Sequence, residues 1–183
     1  MICRRPLLLL SLGCLASLHL WLMTPTAYVQ DVSSSDTRAL RIQVVPSEAE
    51  TPLKGKAYRV GKNLRFKVMA VNDSDAIIRA YVVDTYYQNR PRLYKEDKAV
   101  PYLEKIAQLI LAKDADPQFV RIGSTVLLRP ATTTVLEELN LEDWYGPLQP
   151  GSYRLVDKYR IDVNGSWTEE SKELLFEVVP QQE

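Results

Sequence analysis

Period-two alternation of apolar and polar residues dominates the sequence and predicts a protein built mainly of β-strands. The clearest case is the stretch 153–163, whose apolar face is interrupted only by Asp157 and consists of Tyr153, Leu155, Tyr159, Ile161 and Val163. Asn164-Gly165 follows, a pair typical of the tight type I′ turn, because both central residues of that turn need positive φ. The chain then returns through 167–179, so we expect a long closing hairpin.

Further strands are predicted where β-branched, aromatic and alternating residues lie between turn signals, over 39–45, 58–72, 76–87 and 119–129. Residues 132–139 also favour a strand, although Leu136 to Leu141 could instead form a helical turn. Asn72-Asp73-Ser74-Asp75 has the composition of a turn. We therefore expect the two strands that it joins to form an early hairpin.

One segment follows the helical period instead. Between Val100 and Leu111, apolar residues recur at spacings of three and four, and polar residues occupy the opposite face. Asp97 or an adjacent residue could cap the first turn, and Pro117 would end the helix. The pattern predicts one amphipathic helix over about 97–113, inserted between strands.

The N-terminal residues have a different character. Arg4 and Arg5 precede an uncharged apolar run from Pro6 to Met23, which is the layout of a secretory signal. The run is also just long enough for a membrane anchor, and Gly13-Cys14 is compatible with lipid attachment. Because all three alternatives place the rest of the chain outside the cytoplasm, we expect an extracytoplasmic protein with four parts: an export signal or anchor (1–27), a linker (28–38), a β-sandwich domain (39–180) and a tail (181–183).

Composition excludes several kinds of chemistry. Cys3, Cys14 and His19 are the only cysteines and the only histidine, and all lie in the leader. The exported part therefore has no residues for Ser-His-Asp or Cys-His catalysis, or for metal sites built from His and Cys. Without Arg4 and Arg5, the 23 basic residues become 21 against 23 acidic ones, a net charge of −2. We expect no cofactor, no nucleic-acid partner, and membrane contact only through an uncleaved N-terminal segment.

The sequence before the closing hairpin suggests a family of folds. An aromatic corner, Trp144-Tyr145-Gly146, is followed by Leu148-Gln149-Pro150-Gly151-Ser152-Tyr153-Arg154-Leu155. In this order of features, residues 119–179 resemble the C-terminal half of immunoglobulin-like sandwich domains of secreted bacterial proteins. Small bacterial proteinase-inhibitor domains and accessory domains of secreted peptidases look similar here. The resemblance implies an antiparallel immunoglobulin-like β-sandwich in which the Tyr153 hydroxyl bonds to backbone across the corner.

Five aromatic residues near predicted strand ends are binding candidates, because exposed rings anchor protein partners or stack on sugars: Trp144, Tyr145, Trp167, Tyr86 and Tyr87. Packing inside the fold is the alternative for the same rings. No catalytic or metal-binding residue is predicted.

Charged residues offer two weaker candidates. A basic patch before the helix could dock an acidic partner, and it consists of Arg90, Arg92, Lys95 and Lys98. Acidic pairs could act as acid and base or bind calcium; they are Glu137-Glu138, Glu142-Asp143 and Asp73 with Asp75. Solvated surface positions are the alternative in each case.

Together these features predict a non-catalytic binding or interaction module of the cell envelope, with an unknown protein or glycan as its partner. An extracellular protease inhibitor is the first alternative, suggested by the closing hairpin. A carbohydrate-binding or carboxylate-based glycan-active protein is the second. A deep cleft with two facing carboxylates would contradict the binding module.

Overall fold

The computed structural model describes residues 29–30, 39–47, 57–59, 64–116, 123–162 and 165–180. Most of these residues belong to strands or to the short connections between them. The strands are β1 (Val29–Gln30), β2 (Leu40–Pro46), β3 (Ala57–Arg59), β4 (Arg65–Asn72), β5 (Ile77–Val82), β6 (Arg92–Lys95), β7 (Lys98–Ala99), β8 (Ser124–Leu128), β9 (Thr132–Asn140), β10 (Gly151–Val156) and β11 (Leu174–Val179). The helices are α1 (Thr85–Gln88), α2 (Glu104–Ala115) and α3 (Leu141–Tyr145).

These strands form three sheets. Their orders are β2-β4-β9, β3-β11-β10-β6-β7 and β1-β5-β8. All neighbours are antiparallel except β1 with β5 and β3 with β11. The predicted all-β class with antiparallel sheets is therefore confirmed.

Side chains from all three sheets meet in one hydrophobic core. Phe66 of β4 is fully buried there, because the residues of that strand alternate between the core and the outer face. Its ring centroid lies 5.8 Å from that of Tyr58 on β3 and 5.5 Å from that of Phe176 on β11. Phe66 thus joins two sheets through direct ring contacts.

The early hairpin predicted around Asn72-Asp73-Ser74-Asp75 is wrong. β4 lies between β2 and β9, whereas β5 lies between β1 and β8. Asn72 is fully buried, and its side-chain amide donates to the carbonyls of Ala76 (2.8 Å) and Leu128 (2.9 Å). The polar residues that resemble a hairpin turn therefore carry the chain from one sheet to another.

The predicted strand over 76–87 is a strand only in its first part. β5 ends at Val82, and the next residues turn into α1. Asp84 caps this helix, because its carboxylate accepts a hydrogen bond of 3.0 Å from the Tyr87 amide. Local capping thus overrides the β propensity of the tyrosines.

The helix predicted over about 97–113 begins later than expected. α2 runs from Glu104 to Ala115. Glu96 and Asp97 have positive φ angles of 48° and 63° and form the turn between β6 and β7, so Asp97 caps no helix. The segment after Leu136, for which a helical turn was the alternative to a strand, is a strand as far as Asn140, where β9 ends.

The closing hairpin is present as the antiparallel pair β10–β11. Tyr153 lies opposite Phe176, which is the register that a two-residue turn at positions 164 and 165 would set. The Tyr153 hydroxyl donates a hydrogen bond of 2.7 Å to the Gln149 carbonyl. The predicted bond between this tyrosine and the backbone of its corner is confirmed.

Nearer the turn the hairpin is irregular. Arg160 lies opposite Trp167 rather than opposite Glu169, so the returning segment contains two more residues than the outgoing one. The type I′ turn predicted at Asn164-Gly165 is wrong, because the Gly165 amide donates to the Asp162 carbonyl at 3.1 Å and the φ of Gly165 is not positive. Val163 and Asn164 themselves lie outside the described residues. The irregular part brings Trp167 beside a different set of side chains than a regular hairpin would.

Candidate binding site

Three extended segments lie side by side beyond the ends of β10 and β11. The Arg90 amide donates to the Lys158 carbonyl at 3.1 Å, and the Arg160 amide donates to the Gln88 carbonyl at 2.8 Å. On its other side, Arg160 pairs with Trp167. These backbone contacts fix the positions from which the side chains of the candidate site extend.

Residues 158–160 alternate as an extended chain requires. Tyr159 is fully buried, while Lys158 and Arg160 are partly exposed. The two basic side chains therefore lie on the outer side of the segment.

Three cations surround the ring of Trp167. The guanidinium carbon of Arg160 lies 4.3 Å from the ring centroid, that of Arg90 4.9 Å, and the Nζ of Lys158 5.0 Å. Arg160 also lies 4.3 Å from the ring centroid of Tyr87. All four distances are within the range of cation–π attraction. We refer to these residues and their neighbouring carboxylate as the cation–aromatic cluster: Tyr87, Arg90, Asp114, Lys158, Arg160 and Trp167.

Asp114, near the end of α2, provides the carboxylate of this cluster. Its Oδ1 lies 2.8 Å from a terminal nitrogen of Arg90 and 3.7 Å from one of Arg160. Arg90 also donates to the carbonyls of Tyr86 and Asn89, each at 2.7 Å, so its guanidinium is engaged in holding the fold. Three cations against one carboxylate leave the cluster with a net charge of +2.

Arg160 and Lys158 have fewer partners. Within the described residues, the Nε of Arg160 is buried without a hydrogen-bond partner, and the contact of this arginine with Asp114 is too long for a hydrogen bond. Lys158 forms no ion pair in the same part of the chain. The Arg160 side chain is 15% exposed, and Lys158 and Trp167 are also partly exposed. The cluster therefore combines a buried donor that has no partner with cationic side chains that are partly exposed.

Glu137 of β9 is a carboxylate of a different kind. Its oxygens accept hydrogen bonds from the Asn89 amide and, at 3.1 Å, from the Thr85 hydroxyl. Burial raises the pKa of Glu137 to about 7; the two hydrogen bonds oppose this rise, and the charge of Asp84 adds to it. Glu137 links β9 to the segment around α1 and is not the solvated acid that its acidic neighbours suggest.

Asp157 is a second carboxylate inside the fold. It is 1% exposed, and among the described residues neither carboxylate oxygen has a hydrogen-bond partner of normal geometry. Burial raises the pKa of Asp157 well above its ordinary value, the charge of Glu137 adds to the rise, and the nearby Lys158 and Arg90 amides oppose it. The sequence carries a signal for this residue, since Asp157 is the one acid on an otherwise apolar strand face.

The five aromatic candidates do not share one surface. Trp144, Tyr145 and Tyr87 are buried, and the partly exposed Tyr86 packs on Trp144 with ring centroids 5.0 Å apart. Packing accounts for these four rings. Trp167 alone of the five combines a partly exposed ring with the cations of the cluster. The sequence signal for Lys158 and Arg160 was their outward position on the alternating strand.

The predicted basic patch is not assembled. Arg90 belongs to the cation–aromatic cluster, Arg92 pairs with Glu170, and the Nζ of Lys95 lies 5.8 Å from the Tyr153 ring centroid. The acidic candidates are also dispersed: Asp73, for instance, pairs with Arg41. In the described ranges, no group of three or more acidic, histidine or cysteine side chains is arranged to hold a metal ion. None of the helices in those ranges is long and apolar enough to cross a membrane.

The chain matches no protein-family model and no curated protein. Solved structures similar to it include a crystal structure of beta-glucosidase from Listeria innocua, with a TM-score of 0.36 and 13% sequence identity over 78% of this chain and 16% of the enzyme. The complex of that enzyme with glucose gives a TM-score of 0.35 and 14% identity, over 76% of this chain and 16% of the enzyme. The chain thus spans about a sixth of these enzymes, and similarity at this level supports no inference about fold or function.

Proposed function

We propose that this chain is an exported, non-catalytic binding module of the cell envelope. The cation–aromatic cluster is the observation that carries the proposal. It concentrates a charge of +2 at a partly exposed site, whereas residues 28–183 have a net charge of −2. Because the cluster is positive whereas the chain as a whole is negative, the cluster favours a negatively charged partner and orients its approach.

For the fold we propose an immunoglobulin-like sandwich with α2 as an inserted helix. The closing pair β10–β11 and the Tyr153 corner support this assignment. The module would lie outside the cytoplasm, because an apolar leader precedes it.

The non-catalytic part of the proposal is supported by the positions of Glu137 and Asp157. A carboxylate-based glycan hydrolase needs two carboxyl groups that reach the substrate from either side of the scissile bond. Asp157 is buried, and Glu137 is hydrogen-bonded to Asn89 and Thr85. The positions of both carboxyl groups therefore suit a role in the stability of the fold.

A pull-down from envelope extract tests the proposal. The full-length protein in a mild detergent, immobilised at low salt, should retain a protein or glycan reproducibly. The double variant Lys158→Gln with Arg160→Gln should lose this partner, because it removes two of the three cations around Trp167. The control variant Lys105→Gln with Lys172→Gln removes two exposed charges and should retain it. Failure of the unmodified protein to retain any partner would contradict a binding module.

A further inference from the structure

We propose that Arg160 and Lys158 form a seat for a carboxylate group of an acidic protein segment. This inference rests on the proposed binding function and specifies the chemistry of the partner. Its starting point is a difference between two arginines. The guanidinium of Arg90 bonds to two carbonyls and to Asp114, whereas that of Arg160 has none of these bonds.

Arg160 is held in place before any partner arrives. Its guanidinium carbon lies 4.3 Å from the ring centroids of both Tyr87 and Trp167. Two ring contacts restrict the rotamers of a long side chain, so little conformational entropy remains to be lost on binding. A planar guanidinium held in this way presents a fixed fork of donors, which matches the two oxygens of a carboxylate.

Arg160 makes little use of its donors. Within the described residues its Nε has no hydrogen-bond partner, and a terminal nitrogen stays 3.7 Å from Asp114, too far for a hydrogen bond. A largely buried charge with an unpartnered donor is costly, and an acceptor that reaches the terminal nitrogens relieves part of that cost. Lys158 adds a second cation beside the same ring, and it has no ion pair in the described part of the chain.

Asp114 indicates which anion the cluster accepts. This carboxylate already lies near both arginines, but it is bonded to Arg90 and stays 3.7 Å from Arg160. A second singly charged carboxylate leaves the cluster with a net charge of +1, and its planar pair of oxygens matches the planar guanidinium of Arg160. Because three cations lie within 5.0 Å of its centroid, the Trp167 ring offers little free face on which a sugar could stack.

The test is a calorimetric titration of the full-length protein in mild detergent with a peptide of six glutamates, alongside a peptide of six glutamines and inorganic phosphate. We expect the glutamate peptide to bind and the glutamine peptide not to bind. Arg160→Gln and Lys158→Gln should each raise the Kd at least about tenfold, which corresponds to one lost charge-assisted contact. Arg160→Lys keeps the charge and loses the fork, so its Kd should lie between those of the unmodified protein and Arg160→Gln.

Lys105→Gln is the matched control, since it removes one exposed charge from α2, and its Kd should stay within about twofold of the unmodified value. Equal weakening by Lys105→Gln and Lys158→Gln would overturn the proposal, as would binding of phosphate in preference to the glutamate peptide. If Arg160→Gln does not fold, Lys158→Gln decides the outcome, because that variant keeps Arg160 beside both rings. Partner capture that depends on the cluster, without glutamate binding, would leave the proposed function standing and remove only this inference.

Discussion

Glu137 is the residue whose ionisation bears most directly on stability. The pKa of its carboxyl group is about 7 in the folded protein, against 4.5 ordinarily, because folding removes the group from water. The folded state therefore binds the proton more tightly than the unfolded state. The contribution of Glu137 to stability is largest below pH 4.5, falls as the pH rises towards 7, and is fully lost above that value. A shift of this size corresponds to at most roughly 3 kcal/mol, and the partial exposure of Glu137 reduces it.

We predict that Glu137→Gln makes the protein more stable than the unmodified form at pH 8 and flattens the dependence of stability on pH between 5 and 8. A glutamine can still accept from Asn89 and can donate to the Thr85 hydroxyl, so the hydrogen bonds survive without the buried charge. Urea unfolding at several pH values measures the effect. Glu138→Gln, at the exposed neighbouring position, should keep the original slope. A steep slope that survives in Glu137→Gln would show that another group is responsible, and Asp157 would be the first to examine.

At the scale of elements, Gln88 joins parts of the chain that no sheet connects. Its side-chain oxygen accepts from the amides of Val83 (2.7 Å) and Asp84 (3.3 Å), and its nitrogen donates to the carbonyls of Tyr81 (2.5 Å) and Arg160 (2.7 Å). One fully buried side chain thereby fastens α1 to the end of β5 and to the segment that carries the cation–aromatic cluster.

We predict that Gln88→Ala lowers the free energy of unfolding by about 3 kcal/mol or more, because four backbone groups lose a buried partner. The same substitution at Gln108, which is exposed on α2 and donates to the Glu104 carboxylate, should change the free energy of unfolding by less than about 0.5 kcal/mol. Denaturant unfolding of the two variants measures both changes in the free energy of unfolding. Equal effects would mean that water replaces the bonds of Gln88 at no cost.

An element can be predicted from the sequence when the interactions that form it are local in the chain. β2, β4, β10 and β11 follow the alternation of their own residues, a property that each segment carries by itself. The pairing of β4 could not be predicted, because Asn72 is fixed by a bond to Leu128, 56 residues away. The start of α2 was also missed, since the turn at Glu96 and Asp97 depends on the pairing of β6 with β7.

The candidate site was partly predictable for the same reason. Trp167 was among the sequence candidates, and alternation alone placed Lys158 and Arg160 on an outer face. Their meeting depends on the two additional residues in the returning segment of the hairpin, which place Trp167 opposite Arg160. No local pattern encodes such an irregularity, because hydrogen bonds to residues far along the chain hold the returning segment, from the Ser171 amide to the Asp157 carbonyl and from the Thr168 amide to the Tyr159 carbonyl.

At the scale of the whole molecule, Phe66 connects two sheets of the shared core. We predict that Phe66→Ala lowers the free energy of unfolding by about 3 to 5 kcal/mol, since it removes ring contacts with Tyr58 and Phe176 and leaves a cavity. Leu175→Ala, at a position 57% exposed on β11, should cost less than about 0.5 kcal/mol. Thermal unfolding followed by both near- and far-ultraviolet circular dichroism should give one coincident transition for each variant. Separate transitions would contradict a single core.

The parallel pairing of β1 with β5 limits how far the Ile77 end of β5 could lie from the bilayer in a membrane-anchored form. Val29 lies opposite Ile77, and only residues 24–28 separate this strand from the apolar run, a reach of roughly 18 Å when fully extended. If that run is retained as an anchor, the Ile77 end of β5 is held close to the lipid. Tyr81, about 13 Å further along the strand, hydrogen-bonds through its amide to the Ile161 carbonyl, next to Arg160. In such a form Arg160 and its two flanking rings would lie on the order of 13 Å further along the strand direction than the end of β5 nearest the anchor.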